Sequence, residues 1–182
     1  MLGWCNLSQP ALQIAEARGN DPEHYAGLGL ESVTSSMHWG PSPAHDGYWK
    51  TQGWWADKQD SFDTKFHTYT LEWNEKFLWT YIDTRVHRIF KFKFDLNKPF
   101  FERGKYPPTT FNGTQLVPLS NPWAGSTSPG VAPFDQDFYL VMNVAVGGTN
   151  GWFPDNKPKG KKPWINGAAS TFPYRFLNVQ HY

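Results

Sequence analysis

The chain has 182 residues, a formal net charge of +1 at pH 7 and an aromatic content of 18%. This length fits one domain with a sizeable core, and the balanced charge provides no global field to attract nucleic acid or a membrane surface. The many aromatic residues are separated by 16 Gly and 15 Pro, which favours a β-rich fold over a helical bundle.

The first segment with local structure, SQPALQIAEARGN at 8–20, fits two conformations. Ser8 as a cap, Pro10 in the first turn and Gly19 as a stop are typical of a short helix. The same residues also fit a strand over 11–17, which is the conformation we predict, with the short helix as the alternative.

A period of two residues is clearest in three segments, at 66–73, 77–83 and 85–94. Side chains on the two faces alternate in the first, aromatic residues occupy every second position of the second, and Phe alternates with Lys in the third. Short turns separate the segments, so we predict an antiparallel meander with one wet face. Trp73 and Trp79 lie in these strands, and we expect both to pack in the core.

A further strand is predicted at 137–148, DFYLVMNVAVGG, where the nearly continuous apolar run indicates burial on both faces. Asn143 is the polar exception and is a candidate for a binding cleft or for a bond to buried backbone. The stretches 40–61, 97–136 and 149–173 are predicted to be long irregular loops. Together these features predict a mainly β, antiparallel β-sandwich.

Several classes of site find little support in the sequence. The six His residues show no paired ligand spacing and Cys5 is the only cysteine, so we expect no metal and no cofactor. The basic run KPKGKKP at 157–163 is predicted to be a solvated loop, which disfavours nucleic acid as a partner. The sequence shows neither an export signal nor an apolar run long enough for a membrane span, and the compartment is left open.

Four segments together resemble a known family: HWGPSP at 38–43, the strands FHTYTLEW and FLWTYID, PFDQDFYLVMNVAVGGTNGWFPD at 133–155, and KPW at 162–164. The sequence is similar to glycoside hydrolase family 16, within it to the fungal β-1,3-glucanases and the related β-1,3-glucan recognition proteins. The likeness runs from about residue 11 to about residue 167. It implies one domain over 1–182 with a jelly-roll (concanavalin A-like) sandwich, whose concave sheet forms a glucan cleft.

The family motif Glu-x-Asp-x-x-Glu, followed closely by Arg-Gly-Asn, aligns on residues 11–20 of this sequence. The alignment places the acid/base on Glu16, the assisting Asp on Gln13 and the nucleophile on Ala11. A retaining glycosidase needs two carboxyl groups about 5–5.5 Å apart, so Ala11 leaves no nucleophile and Glu16 is at most a residual acid. Positions 11 and 13 share one face of a strand, whereas position 16 joins them only if a bulge corrects the parity.

The family resemblance also implies that strands before residue 11 are missing here and that the sandwich is incomplete. Exposed sheet edges recruit partners, so we predict a homo-oligomer, such as a dimer, or a local rearrangement.

Carbohydrate clefts combine aromatic platforms with a few hydrogen-bonding groups, which suggests the candidate sugar-binding residues. Those implied by the resemblance or by composition are His38, Trp39, Arg18, Asn20, Asn143, Trp152 and Trp164. Trp54 and Trp55 are adjacent, so at most one of them faces a ligand if the backbone is extended.

The sequence therefore predicts a lectin-like pseudoenzyme that binds β-1,3-glucan without cutting it. The first alternative is an endo-β-1,3-glucanase-like hydrolase with weak or repurposed activity that uses Glu16. The second is a non-catalytic scaffold for protein or nucleic-acid contacts.

Overall fold

The computed structural model describes residues 10–19, 29–144 and 165. Its strands are β1 (Ala11–Ala17), β2 (Ser32–His38), β3 (Gln52–Ala56), β4 (Tyr69–Trp73), β5 (Phe77–Ile82), β6 (Arg88–Lys93), β7 (Thr109–Asn112) and β8 (Gln115–Pro118). The helices are two 3₁₀ turns, Pro43–His45 and Tyr48–Lys50, and one short α-helix, α1 (Phe100–Gly104). The protein is thus mainly β with antiparallel sheets, as predicted and consistent with a β-sandwich. Among the described helices, none is long and apolar enough to cross a membrane.

The segment at 11–17 is a strand, and the helical alternative is wrong. β1 pairs with β2 in antiparallel register along its whole length, from Ala11 opposite His38 to Ala17 opposite Val33. The Thr34 and Ser35 hydroxyls donate to the backbone carbonyls of Glu16 and Gln13 and reinforce the pairing. Tertiary pairing therefore outweighs the local helix signals.

Strands β1-β2-β3 form the first sheet and β4-β5-β6 the second, while β7 and β8 make a separate hairpin. Buried side chains from both sheets meet in two clusters, one containing Met37 and Leu78 and the other containing Val33 and Ile82. Gly53 lets β3 approach β6 closely, since a Cβ there would lie 2.2 Å from the Ile89 carbonyl oxygen. The two sheets thus pack around a shared core.

The predicted meander is confirmed as the second sheet. Leu78, Thr80 and Ile82 of β5 are fully buried, whereas the residues between them are half-buried. Trp73 lies opposite Leu78 and packs against the core. Trp79 lies opposite Glu72 on the other face, so the prediction that Trp79 packs in the core is wrong: position 79 is one residue from Leu78 and therefore faces away from it.

The prediction of a buried strand at 137–148 is wrong for residues 137–144, which form no strand. The side chains of Tyr139, Leu140, Val141, Met142 and Val144 are 62–83% exposed. An apolar run is buried as a strand only where neighbouring strands pair with it, and the described strands do not pair with this segment. Residues 145–148 lie outside the described part of the chain.

Two stretches predicted to be irregular contain regular elements. The stretch 40–61 holds β3, and 97–136 holds α1 and the β7–β8 hairpin. Gly113 and Thr114 form the turn of that hairpin, between the paired residues Asn112 and Gln115, and Gly113 has a φ of 63°. A two-residue hairpin turn requires positive φ at its first position, which Gly adopts readily, so this signal was available in the sequence.

The loop before β4 is tied to the end of β5 by Asp83, which makes stability depend on pH. The Thr68 backbone N–H donates to Asp83 Oδ1 over 2.8 Å, and His67 Nδ1 lies 2.8 Å from Oδ2. These two bonds, the backbone one first, hold the pKa of Asp83 below its usual value. Because the folded pKa is the lower one, this carboxylate stabilises the fold above about pH 4, the usual Asp pKa, and the contribution is lost as the pH falls through the folded pKa.

We therefore expect Asp83→Asn to lower the free energy of unfolding at pH 7, with the difference from wild type shrinking below about pH 4. Urea unfolding of both proteins across pH 2–7 measures this difference. A deficit that stays constant across the whole range would contradict the assignment.

Candidate functional site

One face of the first sheet carries polar side chains in register, and we call it the polar face. Its residues are Ala11, Gln13 and Glu16 of β1, Thr34, Ser36 and His38 of β2, and Gln52 and Trp54 of β3. Val33 and Met37 point to the opposite face and are fully buried in the core. The alternation along β2 therefore separates the core from a polar surface.

A bulge in β1 aligns the three positions of the catalytic motif. Gln13 lies opposite Ser36 and Glu16 opposite Thr34, so two residues of β1 lie against the single residue Ser35 of β2. This extra residue restores the parity, and position 16 faces the same side as positions 11 and 13. The bulge expected from the motif spacing is present, but Glu16 is the only carboxylate among the three positions.

A chain of polar side chains crosses the polar face toward the end of β2. The Ser36 hydroxyl donates to Gln13 Oε1 and lies 3.3 Å from His38 Nε2. His38 Nδ1 lies 2.6 Å from Asp46 Oδ2, which fixes the orientation of the imidazole ring. Asp46 in turn accepts the Tyr48 backbone N–H over 3.0 Å. The buried Ser36 hydroxyl thus links the Gln13 amide to the His38 imidazole, and both of these groups are able to exchange hydrogen bonds with a polar ligand.

Two aromatic rings lie near this chain. Tyr48 stacks on His38 with ring centroids 5.1 Å apart. Trp54 is 63% exposed and lies opposite Thr34. Trp55 packs instead against the core cluster of Val33 and Ile82. This confirms that only one of the adjacent tryptophans faces outward.

Trp39 is not on the polar face, and its prediction as a sugar-binding residue is corrected. The side chain is 1% exposed, its Nε1–H donates to Thr51 Oγ1 over 2.7 Å, and its ring contacts Phe100 edge-to-face with centroids 5.0 Å apart. It follows His38 directly in an extended chain, so the two side chains point to opposite sides. The ring therefore belongs to the core.

The remaining predicted residues are placed only in part. Glu16 and Arg18 line a small pocket with Ser32 and Thr34. Asn143 lies in the exposed segment 137–144, outside any strand. The predictions that fall outside the described residues are those of Asn20, Trp152, Trp164 and the basic run 157–163. Within the described ranges, no group of three or more His, Cys, Asp or Glu side chains is arranged to hold a metal ion.

Four members of the candidate site were not predicted from the sequence: Ser36, Asp46, Tyr48 and Gln52. Ser36 lies in β2, whose sequence SVTSSMH alternates only weakly, with Val33 and Met37 as its main apolar residues. Asp46 and Tyr48 lie in a loop, and only the fold brings them to His38. The HWGPSP motif marked the neighbourhood but not these partners.

Comparison with known proteins adds relatives of stated function. The chain is 34% identical over 161 residues to a β-1,3-glucan-binding protein of Penaeus monodon, covering 88% of this chain and 39% of that protein. It is 29% identical over 103 residues to Gram-negative bacteria-binding protein 3 of Drosophila melanogaster, covering 57% and 19%. It is 23% identical over 175 residues to a glucan endo-1,3-beta-glucosidase of Cryptopygus antarcticus, covering 96% and 50%.

The chain thus spans between about a fifth and a half of the length of these relatives. No family model matches it, and no solved structure matches it. The relatives are invertebrate proteins, so the specific assignment to family 16 and to its fungal group stays a prediction. The homologues of this chain are β-1,3-glucan-binding proteins and a glucan endo-1,3-beta-glucosidase, and this set is consistent with a glucanase-like family.

Proposed function

We propose that this chain binds β-1,3-glucan on the polar face of its first sheet and does not hydrolyse it. The observation that carries the proposal is the exposed Trp54 ring beside a row of hydrogen-bonding groups, on the face where Ala11 and Gln13 occupy the aligned carboxylate positions. A pyranose ring has apolar C–H faces and polar hydroxyl edges, so an aromatic platform flanked by polar side chains matches both.

Each element of the polar face has a part in this binding. Trp54 supplies the platform at one end, and the stacked pair of His38 and Tyr48 supplies a second ring surface at the other. His38 lies four positions along β2 from Thr34, the residue opposite Trp54, which corresponds to about 13 Å along the strand. Gln13 and Gln52 lie between these ends, where their amides exchange hydrogen bonds with sugar hydroxyls, and the buried Ser36 hydroxyl orients the Gln13 amide.

Hydrolysis by the family mechanism is disfavoured because Glu16 carries the only carboxylate among the three aligned positions of β1. A retaining enzyme needs its pair about 5–5.5 Å apart and an inverting enzyme about 6.5–9.5 Å apart. Asp46, a carboxylate near the polar face, is bonded to His38, and His38 lies four positions, or roughly 13 Å, along β2 from Thr34, the residue opposite Glu16. Asp46 also accepts backbone N–H groups, so it serves to order the loop.

Several finer features of the sequence prediction remain part of this proposal. They are a single family 16 domain over 1–182, a jelly-roll topology with a cleft, and a homo-oligomer. The apolar side chains exposed at 139–144 support self-association, because patches of this kind on soluble proteins often mark interfaces. Light scattering of the purified chain measures its mass against the monomer value of 20.9 kDa.

The function is tested by replacing Trp54. We expect Trp54→Ala to weaken binding of laminarihexaose by about tenfold or more, since loss of a stacking platform costs roughly 1–3 kcal/mol. Titration calorimetry measures the affinity. Phe111→Ala is the matched control, because Phe111 is 73% exposed on the separate β7–β8 hairpin, and we expect its affinity to stay within twofold of wild type, roughly 0.4 kcal/mol.

Two results would contradict the proposed function. The first is absence of laminarihexaose binding, together with no retention on insoluble β-1,3-glucan. The second is equal weakening by Trp54→Ala and Phe111→Ala.

A further inference from the structure

The outer face of the second sheet carries a row of aromatic residues paired with a row of cations. Along β5 the aromatic residues are Phe77, Trp79 and Tyr81, and along β6 the cations opposite them are Lys93, Lys91 and Arg88. The three aromatic residues are half-buried, and the three cations are exposed. None of the three rings belongs to either core cluster. We call this surface the aromatic–basic face.

Positive charge predominates on this face, because Glu72, the carboxylate opposite Trp79, forms its ion pair with Arg85. Lys91, Lys93 and Arg88 form no ion pair with any residue in the described part of the chain. The whole chain carries a net charge of only +1, so three unpaired cations on one edge strand make a local positive field. Lys91 and Lys93 are two residues apart on the same side of the strand, about 6.6 Å.

Two cations contact the Trp79 ring. Lys91 Nζ lies 4.3 Å from its centroid and the Arg85 guanidinium 5.5 Å. Arg85 is fixed by Glu72 through a 2.8 Å bond from Nε, and Tyr81 donates its hydroxyl to the same carboxylate over 2.9 Å. These bonds, the one from Arg85 first, hold the pKa of Glu72 below its usual value. The carboxylate is therefore charged at neutral pH and keeps the Arg85 and Tyr81 side chains in place.

We infer that the aromatic–basic face is a second glycan site, specific for a polysaccharide that carries sulfate, carboxylate or phosphate groups. Pyranose rings lie along the aromatic row, and their anionic substituents bind the ammonium groups of Lys91 and Lys93 and the guanidinium of Arg88. Lys91 keeps N–H donors available while it lies over Trp79, because an ammonium has three donors.

This site is distinct from the proposed neutral glucan site. The polar face belongs to the first sheet, and its described residues include Glu16 and no Lys, which suits an uncharged sugar chain. The aromatic–basic face lies on the side of the second sheet that faces away from the shared core. The two sites therefore bind ligands of different chemistry and are independently testable.

The inference is tested with a fluorescent sulfated hexasaccharide prepared from heparin. We expect the full chain to bind it at low salt, and Lys91→Gln with Lys93→Gln to weaken binding about tenfold, as expected for the loss of two charge-assisted contacts. The matched control is Lys58→Gln with Lys98→Gln, which removes the same charge from exposed lysines elsewhere and changes the affinity less than twofold. Arg88→Gln gives an independent loss if the double variant is less stable.

Three comparisons separate the sulfated-glycan site from its alternatives. Saturating laminarihexaose leaves binding of the sulfated hexasaccharide unchanged, whether or not the neutral site exists. Where the neutral site exists, Lys91→Gln with Lys93→Gln leaves its affinity for laminarihexaose unchanged. Equal loss in the two double variants overturns the inference in favour of net charge alone. A short single-stranded DNA of matched charge that binds as tightly as the hexasaccharide overturns it in favour of a nucleic-acid or general polyanion surface.

Discussion

The Ala11→Glu, Gln13→Asp double variant is expected to release reducing sugar from laminarin, whereas the unchanged chain does not. The bulge between Gln13 and Glu16 places positions 11, 13 and 16 on the same face of β1. The double variant supplies the missing nucleophile at position 11, and the carboxylate introduced at position 13 adds a like charge that raises the pKa of neighbouring carboxyls. We expect a rate at least about 100-fold above either single variant, the order contributed by a positioned acid or base.

Two control variants keep the side-chain sizes of the double variant and remove one or more of its carboxyl groups. Ala11→Gln with Gln13→Asn introduces side chains of the same size without carboxylates and should stay inactive. Adding Glu16→Gln to the double variant should abolish the gain, because no acid then protonates the leaving oxygen. A double variant that folds and binds laminarihexaose but releases no sugar would show that the family mechanism does not transfer to this strand.

Replacing Trp39 by Ala is expected to lower the free energy of unfolding by about 3–5 kcal/mol, the usual cost of removing a large buried aromatic side chain. Trp39 packs on Phe100 and Tyr106 and fills the space beside Gly47, where a Cβ would lie 2.6 Å from the indole ring. Truncation also leaves the Thr51 hydroxyl without the donor that it now accepts from. Urea unfolding monitored by fluorescence measures the loss.

Trp54→Ala serves as the matched substitution of an exposed tryptophan. We expect its free energy of unfolding to stay within about 0.5 kcal/mol of wild type, as is usual for surface substitutions, although it weakens glucan binding. A Trp39→Phe variant, which keeps most of the buried ring surface, should retain laminarihexaose affinity. Loss of affinity in a stable Trp39→Phe protein would return Trp39 to the ligand-binding residues.

The second sheet could be predicted from sequence because its strands have an unambiguous period of two. Phe90 and Phe92 alternate with Lys91 and Lys93, and the burial of β6 follows that alternation. The predicted position of Trp79 was nevertheless wrong, because β5 carries apolar side chains on both faces: Phe77, Trp79 and Tyr81 on one, Leu78 and Ile82 on the other. Only the register against β4, with Glu72 opposite Trp79, assigns the ring to the outer face.

The first sheet was harder to predict because its central strand is rich in Ser and Thr. The Ser35 and Ser36 side chains of β2 are buried, since Ser35 bonds the Gln13 carbonyl and Ser36 bonds the Gln13 amide. Hydrogen bonds of this kind make small polar residues acceptable in a sheet interior. A hydrophobicity pattern does not predict such hydrogen bonds, so it does not predict the burial of Ser35 and Ser36.

The candidate site shows the same division between local and non-local information. Positions 11, 13 and 16 followed from the aligned motif, and the expected bulge depended only on strand parity. The partnership of His38 with Asp46 depends on a loop that folds back eight residues later, which no local spacing specifies. The prediction of a buried strand was wrong for 137–144, because an apolar composition leads to a buried strand only where a neighbouring strand pairs with it.

Binding of β-1,3-glucan to the polar face can be followed through the indole N–H signals of the ten tryptophans. In a two-dimensional ¹H–¹⁵N NMR titration with laminarihexaose, we expect the Trp54 indole signal to shift in a saturable way. The Trp39 signal, buried and bonded to Thr51, and the Trp79 signal on the second sheet should stay in place. A saturable shift of the Trp79 signal with no change at Trp54, or no shift of any indole at saturating sugar, would contradict binding on the polar face.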